Sequence, residues 1–360
     1  MGAMLALMCA GPAGAEQVKP KGLSESAAST RPRLLLTPQE LDALRQRVKE
    51  DATFQKHYAA VRAEAAKNLL SACLAYLISQ QESDLADARR LLDATVALGA
   101  GGNIYNTCYR YADLCIAFDW LFNALSPDER LRAGKVILDF TQLWEKRYRQ
   151  PDWANQMYQM KGANLLAGIA LRGAGIDDDR AERLLAESAQ LLREHFVPAQ
   201  AIMLKGNGGM IDGTGYWFRT AYSFIFLLDA WRSYAGEDLF AKSGIGALPD
   251  WLLRVAEPHN GRFINWHDNS GLRQLWTKEV GDIMQPLVAR CQSPVAKWLA
   301  ERGGATAWRR LLWDDSRVPL VQLESLPLHQ HHEGIGMVTM RSDWSRDATY
   351  AVFVCGDYVG

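Results

Sequence analysis

Several clusters in this 360-residue chain combine side chains that can do chemistry. The richest is Asp212-Gly213-Thr214-Gly215-Tyr216-Trp217-Phe218-Arg219-Thr220-Ala221-Tyr222. Arg219 stands three residues before Tyr222, one helical turn away, so a guanidinium can lie beside a phenol. A free phenol titrates near ~10, and a neighbouring positive charge is what brings it within reach of acid–base work. The plainer alternative is an aromatic stripe, Tyr222 with Phe226, on a core helix. A second cluster, Trp153-Ala154-Asn155-Gln156-Met157-Tyr158, places two amides side by side. Asn155 equally suits a helix cap. A third, Asn265-Trp266-His267-Asp268-Asn269-Ser270, offers His267 to a ligand or, more plainly, a structural His267–Asp268 hydrogen bond. His329-Gln330-His331-His332 invites a metal, but no carboxylate or Cys stands at a recognised ligand spacing. It reads instead as a solvated linker. Gly206-Asn207-Gly208-Gly209 lacks the Lys-Ser/Thr of a phosphate loop and reads as a mobile rim.

Composition narrows the partners. The net charge is −1 and no Lys/Arg run is present, so nothing offers a basic face to a nucleic acid. The 12 Trp and 12 Tyr suit the C–H faces of sugar rings, or simply fill a core. Met1 to Ala15 is a short apolar run ending Ala13-Gly14-Ala15, which reads as a signal peptide without the usual basic start. No later apolar run approaches the roughly 18 residues of a membrane span, so a periplasmic or secreted location is expected. The six cysteines form no C-x-x-C pair and imply no disulfide network.

The elements that must position these groups are mostly helices. Residues 16–33 read as a flexible leader. Thr37-Pro38-Gln39-Glu40 and Ser126-Pro127-Asp128-Glu129 each combine a capping box with a proline suited to a helix start. Helical patterns run over 41–66, 84–99, 111–125, 164–172, 180–195, 220–234, 249–256 and 280–301. Short Gly/Pro/Asp-rich links join them, and no heptad persists. Repeated hairpins of this kind predict an incomplete (α/α) toroid over 34–317. After about Val318 the texture turns β-prone, with strands expected in Gly334–Trp344 and Thr349–Cys355. The stretch 318–360 reads as the first strands of an antiparallel β-sandwich that stops before it is finished.

Three segments carry a family resemblance. Arg33-Leu34-Leu35-Leu36-Thr37-Pro38 before a long helix, the Asp119-Trp120-Leu121-Phe122-Asn123-Ala124-Leu125-Ser126-Pro127 helix end, and Met340-Arg341-Ser342-Asp343-Trp344 followed by Ala348-Thr349-Tyr350 occur in order. Together they resemble the heparinase II/III-like polysaccharide lyases, which include alginate lyases. The resemblance spans nearly all of 33–360. It implies β-elimination of a uronic-acid-containing polysaccharide. Asn155 then corresponds to the amide that neutralises the uronate carboxylate, and Tyr222 to the base and acid, with Tyr216 in reserve. Arg219 would lower the phenol. Gln156 stands where relatives often carry His or Trp; it can donate a hydrogen bond but cannot shuttle a proton. Tyr158, Tyr216, Trp217, Gln156, His267 and Asp268 are the expected substrate contacts.

The same resemblance implies an acidic polysaccharide or oligosaccharide as substrate and no cofactor in this chain; a structural zinc would belong to the rest of the sandwich. Relatives supply a further site His from that part, so low activity is expected of this chain by itself. Two other classes fit the residues. A glycoside hydrolase on a similar toroid needs two carboxylates facing one cleft, for which Asp119, Asp212 and Asp268 are available. A non-catalytic glycan-binding protein or inactive remnant needs only the aromatic groove.

Overall fold

The computed structural model describes residues 30–145, 154–267 and 273–356. The expected signal peptide, most of the leader, Trp153 and Asp268 lie outside these residues. The described chain is mostly helical, with a small three-stranded antiparallel sheet at its C-terminal end.

Local signals set the first helices. The Thr37 hydroxyl accepts from the Glu40 amide and the Glu40 carboxylate accepts from the Thr37 amide, closing the expected box at the start of α1 (Pro38–Glu50). The pattern read as one helix over 41–66 is two, because the Asp51 carboxylate caps α2 (Ala52–Glu64) in extended backbone. Next come α3 (Leu69–Ser79), α4 (Glu82–Ala97) and α5 (Ile104–Leu121). Ser126 and Glu129 close the second box before α6 (Pro127–Glu145). A π-helical turn, Met157–Gly162, leads into α7 (Ala163–Leu171). α8 (Asp178–Leu191) passes through a second π turn, Leu192–Phe196, into α9 (Val197–Met203).

α10 (Gly213–Ala235) is the long helix that carries Tyr222; α11 (Phe240–Ser243) and α12 (Leu248–Arg254) follow. The pattern over 280–301 also divides. Gln292 is left-handed and Ser293 caps α14 (Pro294–Gly303) after α13 (Lys278–Cys291). The last helix is α15 (Ala307–Trp313).

Packing neighbours run α2, α3, α5, α7, α10, α13, α15 and back to α2, a closed circuit. One apolar core threads all of these helices. α7 and α8 approach so closely that a Cβ on Gly168 would lie 2.7 Å from the Leu185 amide nitrogen. Only glycine fits there.

Charged groups pin the circuit at its ends. The fully buried Asp119 carboxylate accepts from the Arg33 and Leu34 amides at 2.6 and 2.9 Å and from Arg31 Nη1 at 2.7 Å. Trp120 Nε1 donates to the Leu34 carbonyl at 2.9 Å. The Asp-Trp pair thus fastens the entering chain to the end of α5. It also corrects the leader boundary, because Arg31 and Arg33 are buried rather than part of a flexible arm. Asp229, also fully buried, accepts from Arg232 and Arg290 at 2.7 Å each and from Trp313 Nε1 at 2.9 Å. Burial works to raise its carboxyl, but the two guanidiniums outweigh it and hold Asp229 below its ordinary range.

The sheet orders β1 (His329–His332), β2 (Met337–Arg341) and β3 (Tyr350–Val354), with His332 opposite Met337 and Arg341 opposite Tyr350. The His-rich run is therefore an edge strand, which corrects its reading as a linker. His332 is fully buried; its ring meets the Asn207 and Gly208 carbonyls at 3.1 Å and the Thr339 hydroxyl at 3.2 Å. Ile335 and Met337 enter the helical core, so helices and sheet share one interior.

Candidate active site

The groups capable of chemistry meet where α5, the Met157–Gly162 turn, α10, α13 and α15 pack. On α5, Tyr109 and Asp113 are four residues apart and share a face. Tyr111, on another face, is fully buried, stacks on Phe140 at 4.9 Å and donates to Asn164. The π turn brings in Gln159, whose Nε2 donates to the Tyr109 hydroxyl at 3.1 Å. Such turns place a side chain that a regular helix would rotate elsewhere. The turn packs directly on α10.

α10 starts at a constrained corner. Gly213 has φ +73°, and a Cβ there would lie 2.5 Å from His267 Cβ and 2.6 Å from the Trp266 carbonyl. The Thr214 hydroxyl donates to the Ile264 carbonyl at 2.5 Å, fixing the 261–267 loop over the helix start. The Thr220 hydroxyl donates to Asp212, yet burial pushes the Asp212 carboxyl up to about 6.

Two turns further along, Tyr222 sits edge-on to Tyr109 at 4.9 Å and against Phe226 at 4.8 Å. The Arg309 guanidinium from α15 lies 4.6 Å from the Tyr222 ring centre and 4.5 Å from that of Phe226. Arg309 is 3% exposed and donates to the Asp282 carbonyl. A cation over aromatic faces in such a place is held by the rings' negative quadrupoles. Burial raises the Tyr222 phenol well above its ordinary value; Arg309 opposes this, while Asp113, Asp282 and Tyr109 add to it. Tyr109 is raised by burial too. Burial likewise pushes the Asp113 carboxyl up to about 6, with Arg309 pulling the other way. The resting site is thus two neutral phenols, a guanidinium and a carboxyl that changes charge near neutrality.

Asn155, 9% exposed, begins the helical stretch that continues into the π turn, and its Oδ1 has no hydrogen-bond partner. Gln159, one turn later, has the same property at Oε1. A buried acceptor left unpaired costs on the order of 1–3 kcal/mol. Asn155 therefore belongs to the same helical stretch that touches the phenols, through Gln159.

The other expected contacts divide. Gln156 and Tyr216 are half-buried, and His267 is exposed. Trp217 is 1% exposed and packs edge-on to Phe218 and Phe263; Tyr158 is fully buried, tilted on Phe196, and accepts from Gln200. Both rings belong to the packed interior rather than to a cleft wall. Arg219 also differs from expectation. It lies over Tyr216 and Phe218 at 5.7 and 5.2 Å, and its charge acts on Tyr109, Cys108 and Glu279. The cation on Tyr222 is Arg309. A separate cleft of about 500 Å³, lined by Arg31, Tyr76, Trp120 and Asn123 among others, lies at the chain entry, where Arg31 is already committed to Asp119.

Among the described residues no group of three or more His, Cys, Asp or Glu side chains is placed to hold a metal, and no helix is long and apolar enough to cross a membrane. No family model matches this chain, and no curated protein matches it.

Proposed function

We propose that this chain is an exported polysaccharide lyase that cleaves a uronic-acid-containing polysaccharide by β-elimination at Tyr222. The closed circuit of packed helices supports reading it as an (α/α) toroid. The observation that carries the proposal is the approach of Arg309 to Tyr222 beside Tyr109, Gln159 and the Asn155 stretch. β-Elimination needs a group that takes the C5 proton, a group that protonates the departing O4, and donors that quiet the uronate carboxylate.

In this site the Asn155 amide nitrogen hydrogen-bonds the carboxylate. The Tyr222 phenol rests protonated, so it must first lose its proton; protonation of Asp113, whose negative charge opposes the phenolate, eases that loss. Arg309 then stabilises the phenolate by charge. The phenolate takes the proton from C5, the C5–H electron pair forms the C4–C5 double bond, and the C4–O4 bond breaks. The regenerated phenol protonates O4. Gln156, Tyr216 and His267 keep surface for the flanking sugars, and the charge of Arg219 bears on Tyr109.

The test is an end-point incubation with alginate, heparin, chondroitin sulfate and ulvan, read by mass spectrometry. The proposal expects unsaturated oligosaccharides, each one water lighter than a hydrolysis product, from the unaltered protein and none from Tyr222→Phe. Saturated products from any of these polymers, or unsaturated ones that persist in Tyr222→Phe, overturn it.

A further inference from the structure

The cleft at the chain entry is open space of about 500 Å³, within the roughly 300–1,000 Å³ range of small-molecule sites. It lies apart from Tyr222. Trp120 and Asn123, at the end of α5 and just beyond it, line the cleft, whereas Tyr109 and Asp113 lie nearer the start of the same helix. A rise of about 1.5 Å per residue separates Tyr109 from Trp120 by roughly 16 Å along the axis.

The lining sets the charge of the ligand. Two guanidiniums reach the cleft, and both are engaged. Arg31 places Nη1 on Asp119 and Nη2 on the Ala170 and Arg172 carbonyls. Arg45 bridges α1 and α3: its Nε and Nη2 donate to the Leu77 carbonyl at 3.0 and 2.7 Å, and its Nη1 donates to Asp42 at 2.9 Å. With Asp119 behind Arg31 and Asp42 beside Arg45, the charges cancel. Neither residue presents an open fork to a carboxylate, sulfate or phosphate. The hydrogen-bonding groups left for a ligand are uncharged. Asn123 is exposed. Gln80 ends α3 in left-handed backbone at φ 57°, and its Nε2 donates to the Tyr76 and Leu77 carbonyls at 3.2 and 3.1 Å, which leaves Oε1 to accept. Tyr76 adds a hydroxyl and a half-buried ring, and Pro38 and Leu41 add apolar surface. A ligand that matches this lining has donors and acceptors, C–H faces and no charge, which is the chemistry of a neutral sugar.

We propose that this cleft is a second binding site, for a neutral mono- or disaccharide, with Tyr76, Gln80 and Asn123 as its hydrogen-bonding residues. It holds a sugar without occupying the Tyr222 site, and it stands whether or not that site is a lyase.

The experiment is saturation-transfer NMR on the full chain with cellobiose, mannobiose, xylobiose and galactobiose as probes. Transfer to at least one of them is expected. Gln80→Gly suits the left-handed backbone and removes the amide, so binding of that probe should weaken by about fivefold. Asn123→Trp places an indole in the cleft from an exposed position and should abolish transfer. If Asn123→Trp does not fold by circular dichroism, Gln80→Gly carries the comparison. Excess mannuronate disaccharide should not displace the neutral probe. Absence of transfer to all four probes, or transfer that survives both variants, overturns the site. Displacement by mannuronate overturns its preference for a neutral ligand.

Discussion

Replacing Asp113 with Asn should make the protein more stable at neutral pH. The carboxyl is pushed up from its ordinary 3.8 to about 6, chiefly by burial, with Arg309 only partly compensating. At roughly 1.4 kcal/mol per tenfold change in proton affinity, holding it ionised costs the fold about 3 kcal/mol. The new amide brings polar atoms that must also be satisfied, at about 1–3 kcal/mol, so a net gain of up to about 2 kcal/mol is expected. The sign follows from linkage. Between its unfolded and folded values the native state binds more protons, so stability falls as pH rises through that window. The advantage of Asp113→Asn should therefore vanish below about pH 4, grow up to about pH 6 and stay flat above. Urea denaturation of both proteins across this range measures it. A variant that is less stable at neutral pH, or an advantage that does not change with pH, would refute the reasoning.

The structural carboxylates behave in the opposite way. Asp119→Asn leaves the buried Arg31 guanidinium without its charge partner and should cost about 3–5 kcal/mol in the same urea assay; Asp229→Asn should cost less, because Arg232 and Arg290 keep Glu40 as a partner. Asp229 is held low in the fold, so its contribution is complete above its unfolded value and is lost as pH falls through the folded one. His332 is lowered by burial, so acidification below its unfolded value near ~6.5 should weaken the tie between β1 and the Gly206–Gly209 turn. Protection of the β1 amides from hydrogen exchange, taken relative to the intrinsic rate at each pH, that falls on acidification and does not in His332→Gln checks this. Gly168→Ala should destabilise strongly because its methyl meets the Leu185 backbone, at a cost of about 1–3 kcal/mol or more; thermal unfolding reads it.

Sequence made the local signals plain. Both capping boxes depend on residues three apart, and Tyr222 could be found from its own segment. The Asp51 and Ser293 breaks were hidden because apolar periodicity continues across a one-residue cap. α3 gave no period, since nearly all of it is buried and its apolar residues surround the axis. β1 was misread because a His-rich strand has little β-propensity of its own; pairing with β2 and the buried His332 hold it. Arg309 and Tyr109 were invisible for a different reason. They reach Tyr222 only after the helix circuit closes, from helices far away in sequence, and no spacing rule links them. Nor does any residue pattern announce the π turn that aims Gln159 at Tyr109. Trp217 and Tyr158 show the converse: the motif displays its polar and aromatic residues alike, and only the fold decides which of the rings are buried.

The central claim is that Tyr222 removes a proton from carbon in a uronate. A polyuronate deuterated at C5 tests it directly, with products analysed by mass spectrometry. The account predicts products that carry a double bond and have lost the deuterium, with none formed by Tyr222→Phe. Cleaved products that retain the deuterium and have gained water would contradict it.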